Sequence, residues 1–243
     1  MIPTSKIAFN IWTHEGDGDK VVFCVSAIRK FQKNSPIFIW DDANKSIGPE
    51  IKDELKNLGC EVRETFFKRD GGLRGEYCHD CMVGNFLEGS VGCDYVAKID
   101  PDTLFVSGNL DSFLEGKNYI CQASGGGLNG VYGFYCFRRE LLHLMKKTPK
   151  STIKDFASQK GISPAPLFEI DDFSFAVCAM FFYQTGVSFL SRGVFWKTGL
   201  GFNKPSFLNR KKEIVLYDFG TNASLKRDNQ RIIENMRDGL GLS

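Results

Sequence analysis

Apolar positions switch between a period of two and a period near 3.6 along the first hundred residues, and each switch marks an element. Lys6 to Thr13 (KIAFNIWT) reads as a strand, followed by the acidic turn His14-Glu15-Gly16-Asp17-Gly18-Asp19. From Asp19 or Lys20 to Phe31, Val21, Val22, Val25, Ile28 and Phe31 keep helical spacing, with acids at the start where the helix dipole favours them. Pro36 opens a second strand, Ile37 to Trp40, which ends in Asp41-Asp42. Pro49 to Leu58 predicts a short helix with Ile51, Leu55 and Leu58 on one face and Gly59 as its stop. Cys60 to Thr65 is a third strand. After the polar loop 66–75 (FFKRDGGLRG), a helix is expected from about Glu76 to Leu87. A buried strand then starts at Tyr95 in YVAKIDPDTLF (95–105), and Pro101, which donates no ladder hydrogen bond, stops it.

Strand–helix alternation over this length implies right-handed crossovers and an α/β fold with a mostly parallel sheet. In such open sheets ligands bind outside the carboxyl ends of the strands. The Thr13–Asp19 loop, Asp41-Asp42, Arg74 and Asp100-Pro101-Asp102 should therefore share one edge. The second half is less regular. Strands are expected at 118–123, 131–137, 187–191 and 214–218, with a Gly-rich loop at 124–127. Helices are expected at 139–147, 150–161, from Asp171-Asp172 to about Tyr183, and at 225–236. No internal repeat or low-complexity linker interrupts the chain.

Composition changes this picture little. With 243 residues, 42% hydrophobic and 25% charged, the chain suits one large globular domain. Its 22 Phe promise an aromatic interior or cleft, and a net charge of +2 argues neither for nor against a polyanionic partner. No apolar run reaches membrane-spanning length and the first residues lack a signal-peptide core, so a soluble, cytoplasmic protein is expected. Of the 8 Cys, Cys24, Cys136 and Cys178 lie in apolar runs; Cys78 and Cys81, the one C-x-x-C pair, lie a turn apart on a predicted helix. Reduced thiols packed in the core are expected.

The Asp100-Pro101-Asp102 segment carries the candidate chemistry. With a side-chain period of two, both carboxylates point the same way if the chain stays extended, and they repel unless a cation lies between them. Hard divalent ions such as Mg²⁺ or Mn²⁺ suit such ligands and accept phosphate oxygens in their other positions. Asp-Pro-Asp-Thr is equally good type I turn chemistry.

The order and spacing of four segments resemble the GT-A class of nucleotide-sugar-dependent glycosyltransferases. They are IWDD (39–42), YVAKIDPDTLFV (95–106), SGGGLNGVYGFYCFRREL (124–141) and EIDDFSFAVCA (169–179), and the likeness runs from about residue 6 to 190. The last two segments are loosely similar to the galactosyltransferase and fringe-like families. The resemblance implies a GT-A-like, Rossmann-like single domain over 1–243, with a nucleotide-sugar-binding half (1–110) and an acceptor-binding half (111–243). It implies transfer of a sugar from a nucleoside diphosphate sugar, a UDP-sugar being the expected donor, to a hydroxyl acceptor, with Mn²⁺ or Mg²⁺ at Asp100 and Asp102. A divalent ion there would stabilise the departing diphosphate without a proton.

The remaining roles follow from the same resemblance. Arg74 would reach the diphosphate as a two-pronged guanidinium, or be a solvated loop charge. Asp41 or Asp42 would accept from ribose or base, or else form a turn and helix cap; Thr13 and Glu15 would border the base. Gly125, Gly126 and Gly127 would admit close approach of a sugar, or form a plain hairpin loop. Asp172 would take the acceptor proton while Asp171 binds or orients the acceptor, although the pair also suits an N-terminal cap. The class often completes its metal shell with a C-terminal His. Here His14, His79 and His143 all precede that region, and Asp218 in LYDFGTN (216–222) stands in its place as a third ligand or a strand-end turn. Trp196 would stack on an acceptor or fill the core. A sugar nucleotidyltransferase is disfavoured by the acidic first loop. A non-catalytic carbohydrate or nucleic-acid binding module is the other alternative, with a modified base as acceptor if the basic clusters near Lys204, Arg210 and Lys226 meet phosphates.

Overall fold

The computed structural model describes residues 6–66, 75–107, 110, 114–123, 131–190, 195–197 and 215–218. Its strands are β1 (Ile7–Thr13), β2 (Ile37–Asp42), β3 (Glu61–Thr65), β4 (Tyr95–Ile99), β5 (Thr103–Ser107), β6 (Tyr119–Ala123), β7 (Val131–Arg138), β8 (Val187–Leu190), β9 (Phe195–Lys197) and β10 (Val215–Asp218). Its helices are α1 (Gly18–Phe31), α2 (Pro49–Asn57), α3 (Glu76–Glu88), α4 (Glu140–Lys147), α5 (Lys150–Gln159) and α6 (Asp171–Phe182).

The main sheet has seven strands in the order β3-β2-β1-β4-β7-β6-β8. β1, β2, β3 and β4 run parallel, β7 is antiparallel to both β4 and β6, and β8 is parallel to β6. The alternation along each strand sorts side chains onto two faces. Phe9, Ile39, Ala97 and Ile99 pack with Val21, Val25 and Ile28 of α1 and Leu55 of α2. Trp12, Trp40, Val96, Tyr135 and Phe137 pack instead with α3, α4, α5 and α6 through Met82, Phe86, Leu141, Ile153 and Phe175. The result is an α/β/α sandwich. The expected aromatic interior is real: Phe86 meets Trp12, Phe175 and Phe137 edge-on at 4.8, 5.4 and 5.5 Å between ring centroids. Such pairs add about 0.5–1.5 kcal/mol each beyond area burial.

Two features depart from the sequence expectation. The chain does not stay extended through Asp100-Pro101-Asp102; it turns, with the Thr103 N–H donating to the Asp100 carbonyl at 2.9 Å. The turn chemistry of Asp-Pro-Asp-Thr wins locally because Pro101 removes the ladder donor. Beyond the turn the chain enters a second sheet, unforeseen from sequence, with order β5-β10-β9. β10 is antiparallel to β5 and parallel to β9, which sets Asp218 opposite both Thr103 and Lys197.

β7 returns beside β4 in regular register, while its pairing with β6 shifts register between Cys121 and Ala123. Gly133 lies in this bulge at φ +62°, a conformation glycine takes without strain. Its carbonyl accepts the Asp100 N–H at 2.7 Å, so the bulge pins the turn to the main sheet. All eight cysteines are free thiols. No helix among the described residues is long and apolar enough to cross a membrane. The helix expected at 225–236 lies outside the described residues.

Candidate active site

The alternation of β4 puts Lys98 on the same sheet face as Val96, where an apolar side chain would be expected. Lys98 is 3% exposed, paired in register with Tyr135 of β7 and facing the start of α6. Its Nζ lies 2.6 Å from Asp100 Oδ1, 3.3 Å from Asp172 Oδ1 and 3.5 Å from Asp171 Oδ2. The Tyr135 hydroxyl donates to Asp171 Oδ2 at 3.2 Å, and the ammonium sits 5.6 Å from the centre of the Tyr135 ring. One buried cation thus joins the turn after β4 to the acidic pair that opens α6.

Asp171 and Asp172 do not cap that helix. Its N-cap is Ile170, with no side-chain capping bond, so the capping explanation of the pair is replaced by an inward-facing one. Both carboxylates still lie in the first turn, where the helix dipole favours negative charge. Ser174, one turn on, accepts the Phe168 N–H at 2.7 Å and donates to the Ile170 carbonyl. These bonds hold Phe168 at φ +67° and fix where the helix begins.

Three carboxylates around one ammonium leave the cluster net negative if all are ionised. Burial would push the Lys98 ammonium toward neutrality, but the charges of Asp100, Asp171 and Asp172 outweigh it and hold its pKa well above the usual lysine value. Burial and the charge of Asp171 drive the Asp172 carboxyl well above the usual carboxylate range, with Lys98 pulling the other way. Burial, followed by the charges of Asp171 and Asp172, raises Tyr135, which stays a donor. The Cys24 thiol, beneath the turn, is raised by burial and by Asp102 and Asp100, so it stays protonated and inert.

The turn itself presents oxygen. Asp100 is about a third exposed (35%) and Asp102 is half-buried. Thr103 Oγ1 is buried with no hydrogen-bond partner among the described residues. Among the described residues no group of three or more His, Cys, Asp and Glu could hold a metal ion by itself. The register nevertheless brings the Asp218 position against Thr103, one residue beyond Asp102. The carboxylates of Asp100 and Asp102 are of the oxygen type that a hard divalent cation takes when phosphate or water supplies its other ligands.

The remaining predicted residues divide. Thr13 and Asp41 are together: the Thr13 hydroxyl donates to Asp41 Oδ1 at 3.4 Å. Asp41 is fully buried, and its carboxylate also takes the Ile47 N–H at 3.0 Å, the Ser46 hydroxyl at 2.6 Å and Lys52 Nζ at 2.8 Å. Asp42 accepts the Asn44 N–H at 2.9 Å, an Asx turn. Both carboxylates are thus engaged in shaping the β2 edge. Glu15 is exposed, 3.9 Å from Lys45. Arg74, Gly125, Gly126 and Gly127 lie outside the described residues, and Asp218 and Trp196 are described by their strand backbones.

Lys98, Tyr135 and Thr103 were not foreseen. A readable signal existed for Lys98: a lone cation within a strand apolar enough to be buried on both faces, two residues before an aspartate. Nothing local marks Tyr135 or Thr103, whose roles come from register.

No protein-family model matches the chain, and no curated protein matches it in sequence. Solved structures do match in fold. The galactosyltransferase LgtC, crystallised with donor and acceptor sugar analogues, aligns with TM-score 0.54 at 11% identity over 96% of this chain and 95% of its own. The glycosyltransferase GlyE of Streptococcus pneumoniae TIGR4 aligns with TM-score 0.55 at 13% identity over 98% of this chain and 61% of its own. Mouse xyloside xylosyltransferase 1 aligns with TM-score 0.52 at 11% identity over 90% and 98%. These likenesses show the fold: the chain has that of the GT-A glycosyltransferases.

Proposed function

We propose that the chain is a metal-dependent glycosyltransferase that moves a sugar from a nucleoside diphosphate sugar, a UDP-sugar first among them, to a hydroxyl acceptor. The observation that carries this reading is the joining of the Asp100–Thr103 turn to the Asp171-Asp172 pair through Lys98 at the carboxyl edge of a GT-A sheet. It places an oxygen-rich turn and a buried carboxylate with a raised pKa beside one another, as donor activation and acceptor deprotonation require.

Asp100 and Asp102, with Asp218 as third ligand, would hold Mn²⁺ or Mg²⁺, and that ion would offset the charge of the departing diphosphate. Thr13 and the Glu15 loop border the donor's base, with Asp41 bracing Thr13 from beneath. Arg74 and the glycines at 125 and 126 complete the donor and sugar side. Asp172 accepts the proton of the acceptor hydroxyl as the anomeric carbon is attacked, and Asp171, held by Tyr135 and Lys98, orients the acceptor. This division assigns residues 1–110 to the donor and 111–243 to the acceptor. A glycan is the expected acceptor.

The test is a panel of nucleotide sugars screened with Mn²⁺ by thermal shift, since a ligand that binds the native state raises its melting temperature by mass action. Hits then go to a turnover assay. Asp102→Asn should fold and lose metal-dependent hydrolysis and transfer. Asp172→Asn should bind donor and lose transfer by about 10²–10⁴-fold. Wild-type turnover in both variants would refute the assignment.

A further inference from the structure

Within that reading, we propose that Lys98 is a positioning residue that cross-braces the donor turn to the acceptor helix, and that its ammonium competes with a bare dication for Asp100. The geometry is that of a brace. A side chain 4% exposed reaches three carboxylates on two separate elements, at 2.6 Å on the turn and at 3.3 and 3.5 Å on α6. Those two elements lie far apart in sequence, and among the described residues Lys98 is the one hydrogen-bond and ion-pair partner of the Asp172 carboxylate on the sheet. Asp171 has a second tether in Tyr135, whereas Asp172 relies on Lys98. Packing of Phe175 on Tyr135 and Phe137 seats α6 on the sheet, and the Asp172 carboxylate is held toward the turn by one flexible-stemmed cation clamped at its tip.

The same contact has a consequence for loading. An ammonium 2.6 Å from Asp100 occupies an oxygen that a cation would use, and it repels any second positive charge nearby. A metal accompanied by a diphosphate brings its own negative oxygens and overcomes this. A free ion does not. Lys98 thus favours entry of the metal–nucleotide pair over entry of the bare metal, and it holds Asp172 at the spacing the acceptor hydroxyl needs.

The experiment uses the full chain with Lys98→Met, of similar length and no charge, and Lys98→Arg, which keeps the charge on a planar head. Mn²⁺ binding is read by electron paramagnetic resonance titration without nucleotide, and kcat and donor KM are read separately with the best donor from the panel. For Lys98→Met the expected results are Mn²⁺ binding tighter by about threefold or more, kcat lower by about a hundredfold and donor KM within about threefold of wild type. Lys98→Arg should recover at least about a tenth of the lost kcat. A bulk structural role would instead weaken Mn²⁺ binding and raise donor KM together. Weaker or unchanged Mn²⁺ binding in Lys98→Met, or an unchanged kcat, overturns the proposal. If Lys98→Met fails to melt cooperatively, Lys98→Gln, polar and uncharged, decides: wild-type kcat with wild-type Mn²⁺ affinity overturns the proposal, and tighter Mn²⁺ binding with a lowered kcat at unchanged donor KM supports it. If the wild type turns over no donor, the functional reading has failed, yet the Mn²⁺ titration still tests the competition with Lys98.

Discussion

Gly133 offers the sharpest test of how the turn is held. Its φ of +62° lies where a side chain is strained, and a Cβ built there would sit 2.5 Å from Thr103 Oγ1. Two separable costs follow for Gly133→Ala. The left-handed backbone costs about 1–2 kcal/mol for a residue with a Cβ. Forcing a methyl against a buried, β-branched neighbour adds about 1–3 kcal/mol of overpacking. The expected destabilisation is therefore about 2–5 kcal/mol, read from urea midpoints by fluorescence. Thr103→Ala alone should cost only about 1 kcal/mol of lost burial, because Oγ1 has no partner to lose among the described residues. In the double variant the clashing atom is gone and only the backbone cost of the alanine remains. The double variant should accordingly be more stable than the sum of the singles by about 1–3 kcal/mol. Additivity within about 0.5 kcal/mol would mean that Thr103 gives way freely and that the close approach does not matter. Because the Gly133 carbonyl holds the Asp100 amide, the single variant should also bind the nucleotide–metal pair more weakly, with the double variant partly restored.

Three further outcomes are expected. Asp172, raised in the folded state by burial and by Asp171, retains its proton to higher pH than it does unfolded, so the native state loses stability as pH climbs past the ordinary aspartate value of about 4. Asp172→Asn removes this slope: urea midpoints at pH 5 and pH 8 should show the variant gaining on the wild type as pH rises, and parallel curves would refute the burial argument. Arg29 donates to the carbonyls of Leu58 and Gly59 at 2.8 Å each and to that of Ser35, so Arg29→Ala should cost about 2–4 kcal/mol of stability and leave kcat unchanged. In native protein a thiol reagent should modify the half-buried Cys81 and Cys93 well before the buried Cys60 and Cys121, whose thiols burial pushes to about 11 and about 12. Early labelling of Cys121 would contradict its place in the sheet.

What the sequence disclosed was chiefly what is local. Periodicity placed β1, β2, β3 and β4 and their intervening helices within a residue or two, because each element carries its own apolar face and its own Gly, Pro or Asp punctuation. The acidic candidates Asp100, Asp102, Asp171 and Asp172 were legible as polar residues at element ends. That Asp100 meets Asp171 and Asp172 was not, because the meeting runs through Lys98 and through the register of β4 against β7. β5 and the small sheet escaped notice for the same reason: TLFVS has no partner within reach in sequence and pairs with a strand near residue 216. Asp41 shows the converse. Its acidic character suggested a ligand, but Ser46 and Lys52, a few residues further on, fold back and occupy it.

The pairing of Thr103 with Asp218 also sets an order of events. Strands β1, β2, β3 and β4 precede the turn, whereas β10 follows far later in sequence, and contacts this distant form late. During synthesis the polypeptide would own the strands of its main sheet before it owned the strand that pairs with β5. On dilution from denaturant, sheet ellipticity should return ahead of the capacity to hold ligand, with an interval between them that measures how long the far wall takes to close.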